Sequence, residues 1–244
     1  MSVPVETAAQ AATAAPVTGP AVIVAIDGPS GTGKSSTSKA VAKRLGMSFL
    51  DTGAQYRAMT WWMTSNGVDV TDAEAVAAFA GKPVIVSGTD PDAPGITVDG
   101  ADASGPIRTP EVTSRVSAVS AVPEVRTVIT ALQRSIAAAA AHGIVVEGRD
   151  IGTTVLPDAD VKIFLTASAE ARAARRSGEL GTTASADVAA TKEALIERDA
   201  ADSTRKTSPL AKASDAAEID TTDLTLAQVI DRIVALVEEK RAAK

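Results

Sequence analysis

The chain contains no cysteine, so disulfides and thiolate chemistry are excluded and a reducing, cytoplasmic setting is expected. No apolar run reaches the roughly 18 residues of a membrane span. Positive charge is short too: 24 basic against 30 acidic side chains leave a formal charge of −6. That balance argues against nucleic acid or an anionic membrane as partner, and any anionic small ligand would need a local gathering of cations. Aromatics are scarce and alanine abundant, a bias of composition without a functional reading. The single histidine, His142, falls near a helix end and is incidental. Residues 1–20 hold no Lys or Arg, lack the marks of a signal or transit peptide, and read as a disordered tail.

What is present alternates between short apolar strands and helices. Ala21–Ile26, Met47–Asp51, the GIVVEG run at 143–148, Val161–Thr166 and Ala217–Asp220 read as strands. Helices are expected over Gly33–Leu45 with Gly46 as stop, from about Ala54 to Ser65, and from a Thr71/Glu74 capping box to Gly81. Others start at Thr109-Pro110, run from Pro123 to Ala141 before Gly143, run from a Ser168 cap through Arg176, and cover Val188–Ala200 after a loop at 177–187. Thr225 and Gln228 cap the last helix, whose Leu226, Val229, Ile230, Ile233, Val234 and Val237 form one core-facing stripe. Only Pro83–Ile107 differs, with VIVSG and ITVDG around a turn-rich TDPDAPG predicting an antiparallel hairpin. The expected fold is α/β, a parallel five-stranded sheet flanked by helices with a small antiparallel β insertion.

Between the first strand and the first helix, Gly28-Pro29-Ser30-Gly31-Thr32-Gly33-Lys34-Ser35 matches G-x-x-x-x-G-K-[ST] in full, and Ser36 follows. This is the context of a P-loop NTPase fold. Backbone N–H groups at the helix start would cradle the β-phosphate of ATP, Lys34 would reach the β/γ oxygens, and the Ser35 hydroxyl would ligate Mg²⁺. A guanine switch would carry N-K-x-D, which is absent. A motor ATPase would be larger and have a strand ending in an acidic residue. A small-molecule kinase needs a second anion site and a mobile cover.

Candidates for that second site follow the strands. Tyr56 offers a flat face and Arg57 a fork for phosphate, in a segment that follows the second strand at its carboxyl edge. Arg149–Asp150 ends a strand that reads as buried, where a charged duo needs either a ligand or a structural ion pair. Arg172, Arg175 and Arg176 share a helix, either as a solvated face or as guanidiniums for a transferring phosphoryl group. Arg198, Asp202 and Arg205 would share another helical face, which a plain surface helix would also explain.

Five segments, IDGPSGTGKSS, LDTGAQYRA, GPIRTPEVTSRVSAVSAVPEVR, EGRDIGTTVLPDADVKIFLTAS and IERDAADSTR, together resemble the bacterial cytidylate kinases, in family order and over residues 22–240. The resemblance implies a kinase core at 21–50, 143–167 and 216–244, a nucleotide-monophosphate subdomain at about 51–142 with its β insertion at 82–108, and a lid at about 168–206. It further implies Thr52, Tyr56 and Arg57 at the phosphate entry, Arg57 and Arg126 as a clamp on the CMP phosphate, and Ser117, Arg149 and Asp150 facing cytosine. Arg198 and Asp202 would meet the ribose, and Arg205 would approach the phosphate from the lid side. Lys34, Arg205, Arg172 and Arg176 would act on the transferring phosphoryl group. Arg108 also matches a family arginine, with no role attached. A carboxylate beside a guanidinium complements cytosine's N4 donor and its N3 and O2 acceptors. The implied activity is MgATP-dependent phosphorylation of CMP or dCMP; because no sizeable extra apolar face is left over, a monomer is expected. A kinase of UMP, AMP or shikimate and a non-catalytic ATP-binding module are the alternatives. The long N-terminal tail and a short Ala/Thr-rich lid loop depart from the family pattern.

Overall fold

The computed structural model describes residues 20–180 and 185–244, without the side chains of 179–187. The tail expected over 1–20 therefore lies almost wholly outside the described residues, as do 181–184 of the expected loop. Among the described residues eight strands are formed: β1 (Ile23–Asp27), β2 (Ser48–Asp51), β3 (Ile85–Ser87), β4 (Ile96–Val98), β5 (Ala101–Asp102), β6 (Ile144–Glu147), β7 (Val161–Thr166) and β8 (Ala217–Asp220). Five of them make the expected parallel sheet, in the order β2-β6-β1-β7-β8. Its central strands are covered on both faces, which is why β1 and β6 are apolar without alternation.

On one face Val24, Ile26, Val145, Ile163 and Leu165 pack under α1 (Lys34–Leu45) and α8 (Leu226–Ala242). The α8 stripe buries Val229, Ile233, Val234 and Val237, with Ile230 half-buried, but Leu226, expected in the stripe, is exposed and outside that core. On the other face Ala25, Leu50, Ile144 and Val146 meet α5 (Pro123–Ala139) and a π-helical turn, Ile151–Val155. A second core joins α2 (Thr52–Ser65), α4 (Pro110–Ala121) and α5 to the small sheet β3-β4-β5. The hairpin expected there gains a third strand, since Asp99 and Gly100 both take positive φ and turn the chain back once more.

Several boundaries move for local reasons. The helix α2 starts at Thr52, not Ala54, because the Asp51 carboxylate caps it by accepting the Ala54 N–H at 3.0 Å. The Thr71/Glu74 capping box does not form: Asp72 caps α3 (Ala73–Phe79), while Thr71 donates to Asp69. The helices α6 (Ala169–Leu180) and α7 (Ser185–Thr204) both extend into the expected loop, with Ser177 buried in the last turns of α6. The Thr225/Gln228 box and the Ser168 and Thr109 caps form as expected. Among the described residues no helix is long and apolar enough to cross a membrane.

Parallel register decides where chemistry can gather. Ile26 sits opposite Glu147, and Asp51 pairs with Glu147 from the other side. Asp27, Asp51 and Glu147 thus reach one carboxyl edge, where Gly28 turns the chain into the P-loop. At Gly28, φ is +145°, and a Cβ would stand 2.2 Å from the Leu165 carbonyl oxygen. Only glycine fits.

Truncating the fully buried Ile233 to Ala should cost about 2–5 kcal/mol through lost contact and a residual cavity. Urea unfolding of the variant beside the unaltered protein measures it.

Candidate active site

A cavity of about 460 Å³ lies above that edge, between the P-loop, α2, α4 and the α6–α7 helices. At one end are Ser30, Gly31, Gly33, Lys34, Ser35 and Ser36. Gly28, Pro29 and Thr32 shape the loop from behind rather than lining the cavity; Thr32 Oγ1 donates to the Pro29 carbonyl at 3.1 Å. Lys34 is buried and folds back, Nζ donating to Pro29 O at 2.6 Å. Burial, and then the nearby Arg149 charge, hold its ammonium well below the usual lysine range.

The residue beside Ser35 is one the sequence reading passed over. Ser35 Oγ donates to Glu147 Oε1 at 2.7 Å, while the buried Oε2 has no hydrogen-bond partner. Burial, reinforced by the Asp51 charge, pushes Glu147 up to about 7. A hydroxyl, an orphaned carboxylate oxygen and a second nearby carboxylate form a hard oxygen donor set. It suits Mg²⁺, which takes one or two protein ligands and keeps waters and phosphate oxygens for the rest. The signal was present as the E of IVVE, an acid ending the strand beside the P-loop strand. Such an acid therefore does not mark a motor ATPase here.

The Arg149–Asp150 duo is split rather than paired. Arg149 Nη2 donates to Ser30 Oγ at 2.6 Å and its Nε to Asp202 Oδ2 at 3.0 Å. The Asp150 carboxylate instead accepts from Arg126 Nη2 at 2.5 Å and Arg205 Nη2 at 3.4 Å. The cause is backbone: Asp150 sits at φ −142°, ψ 25°, where the strand gives way to the π-helical turn, so adjacent side chains diverge. Arg126 also lies over the Tyr56 ring, 5.3 Å from its centroid.

Thr52, Tyr56, Arg57, Ser117, Arg126, Arg149, Asp150, Arg198, Asp202 and Arg205 all line this cavity, with Arg108 and Arg176. Thr52 Oγ1 donates to Glu147 O at 2.6 Å and Arg57 Nη1 to Thr113 Oγ1 at 2.8 Å. Crowding has an electrostatic signature: burial and then the charges of Arg149 and Arg57 push Arg198 down to about 10. Burial lowers Arg57 and Arg205 likewise.

Arg172 stands apart from the cavity wall. Its Nη1 donates to Ser30 O at 3.0 Å and it pairs with Asp199, whose Oδ1 accepts the Ser30 N–H at 3.1 Å. Asp199 was not singled out from sequence, since one acid in an Arg/Asp-rich helix carries no local mark. Ser30 is thereby held through its N–H, its carbonyl and its hydroxyl by three different residues.

Below the loop, Asp27 is buried and accepts N–H bonds from Ile151 (2.9 Å) and Gly152 (2.8 Å). Burial outweighs both bonds, and with some help from Asp150 and against the pull of Lys34 it raises the Asp27 carboxyl from 3.8 to about 6. The folded state thus keeps a proton that the unfolded chain has already lost, and stability contributed here falls as pH rises from about 4 through 6. Asp27→Asn cannot ionise, so its stability deficit should be smaller at pH 7.5 than at pH 5, by roughly 1–2 kcal/mol. Urea titrations at the two pH values give the comparison.

A protein-family model described as "Cytidylate kinase" matches residues 24–239. The chain is 77% identical over 225 residues to the "Cytidylate kinase" of Streptomyces avermitilis, covering 92% of this chain and 96% of that protein. Against the "Cytidylate kinase" of Nocardia farcinica it is 52% identical over 220 residues, covering 90% and 94%. Among solved structures, a gluconokinase from Sinorhizobium meliloti superposes with a TM-score of 0.50 at 14% identity, covering 91% of this chain and 94% of that one, a likeness of fold alone.

Proposed function

The chain belongs to the cytidylate kinase family, and on that premise we propose how it moves the γ-phosphoryl group of ATP onto CMP or dCMP. The observation that carries the reading is one cavity with Lys34 and Ser35 at one end and, on its wall, a buried Asp150 held by Arg126 and Arg205. In this reading residues 51–142 hold the acceptor and 168–206 form the lid.

Asp150 accepts the cytosine N4 amino group, and the guanidinium beside it is that of Arg126 rather than Arg149. Ser117 completes the base edge. Arg149, bonded to the P-loop at Ser30, belongs with the phosphates, together with Arg57 and Arg198; their mutual repulsion eases once an anion lies among them. Asp202, and Arg198 from its own side, meet the ribose, with Thr52 and Tyr56 shaping the entry. Lys34 exchanges the Pro29 carbonyl for a β/γ oxygen. Ser35 and Glu147 would hold Mg²⁺, which when bound neutralises charge on the donor's phosphate oxygens. Arg176 and Arg205 present guanidiniums to the transferring group, whereas Arg172, expected to do the same, braces the P-loop through Ser30 and Asp199 instead; closure of α6–α7 keeps water out. No general base is required, because the acceptor phosphate, with a second pKa of about 6, is already ionised at neutral pH.

Uracil would set its O4 acceptor against Asp150, a buried mismatch costing about 1–3 kcal/mol. An ADP-release assay across CMP, dCMP, UMP, AMP and shikimate should therefore rank the two cytidylates first. Asp150→Ala should shrink the CMP-to-UMP ratio of kcat/KM by about tenfold or more. An unchanged ratio would remove Asp150 from base recognition, and no ADP release with any acceptor would leave only an ATP-binding module.

A further inference from the structure

We propose that Asp27 is a positioning residue for base recognition: from beneath the P-loop it grips the backbone after Asp150 and so sets where that carboxylate points. The inference rests on the reading of Asp150 as the group that meets the base, and goes beyond it to what aims that group.

The joint is built from both sides. Upstream of Asp150, the Gly148 N–H donates to Ile26 O at 3.0 Å. Downstream, Asp27 accepts the N–H groups of Ile151 and Gly152, one on each oxygen. Asp150 lies between these clamps, and its own carbonyl accepts the N–H groups of Thr154 (2.9 Å) and Val155 (3.1 Å). The π-helical turn Ile151–Val155 opens with N–H groups that have no partner inside the turn. One carboxylate satisfies two at once in a place too buried for water to substitute, Asp27 being 4% and Ile151 1% exposed.

A neutral or apolar side chain would fill this space with less desolvation, as the raised Asp27 carboxyl testifies. The bidentate grip is what an alternative cannot reproduce, since Asn would turn an N–H₂ group toward a backbone N–H. Asp27 is also the residue immediately before Gly28. One strand end therefore fixes the donor loop on its chain and the base-reading turn across the sheet.

Asp27→Asn is the test, read by calorimetric titration with ADP and with CMP and by the CMP-to-UMP ratio of kcat/KM. Leaving a buried N–H unpaired should raise the CMP Kd by roughly 5- to 100-fold. The ADP Kd should stay within about twofold, and the CMP-to-UMP ratio should fall toward that of Asp150→Ala. Equal weakening of ADP and CMP, or an unchanged ratio, would make Asp27 a merely structural group and overturn the proposal. Asp150→Ala, run alongside, separates the two readings: if it abolishes the base preference while Asp27→Asn retains it, the positioning role alone fails. Should Asp27→Asn not fold, Gly152→Ala decides, because its added methyl would lie 3.5 Å from Asp27 Oδ2 and against the Lys162 stem while keeping the carboxylate. It should weaken CMP but not ADP; parallel losses, or none, would overturn the role.

Discussion

Like-charge crowding is the constraint on which the rest of this molecule turns. Seven arginines and Lys34 line one cavity with only four carboxylates among them, in a chain whose overall charge is negative. Burial together with neighbouring cations lowers Lys34, Arg57, Arg198 and Arg205 alike. Such a cluster holds because carboxylates are threaded through it, Asp150 between Arg126 and Arg205 and Asp202 beside Arg149. The surplus positive charge is suited to substrates that are themselves polyanions. On the proposed reading, a nucleoside monophosphate and a metal-bound triphosphate bring roughly four negative charges to it.

Parallel pairing supplies the complementary acids. Because β2, β6 and β1 run side by side in register, their last residues, Asp51, Glu147 and Asp27, arrive at one edge with different tasks. Asp51 caps α2, Glu147 takes the Ser35 hydroxyl, and Asp27 holds the turn after Asp150. Low dielectric raises Glu147 and Asp27 toward neutrality, so a cation or a set of N–H donors nearby has a large effect on each. The P-loop is tied into the same edge through Ser30, whose three polar groups contact Asp199, Arg172 and Arg149. The P-loop, the Arg149–Asp202 wall of the cavity and the α6–α7 helices are thus one hydrogen-bonded system.

Where sequence reading went astray, the competing force can be named. At Thr71 a capping box lost to Asp72, whose carboxylate reaches two N–H groups while the Thr71 hydroxyl is taken by Asp69. At 177–180 helix persisted through a Ser/Gly pair, with Ser177 buried rather than in the solvated loop expected there. Glu147 was overlooked because its partner stands 112 residues away.

The amino-acid string by itself determined the P-loop and its neighbours, the alternation that yields a parallel sheet, and the β insertion, whereas the meeting of the arginine-bearing segments was implied only by the family resemblance. Those properties are carried by local spacing, by apolar period and by a motif that works through its own backbone. Only tertiary structure decided that Arg149 turns to Ser30 while Asp150 turns to Arg126, and that Ser35 faces Glu147. The direction of a side chain at a turn depends on dihedrals set by groups far along the chain, here Asp27 acting across 124 residues, and no short-range pattern encodes that.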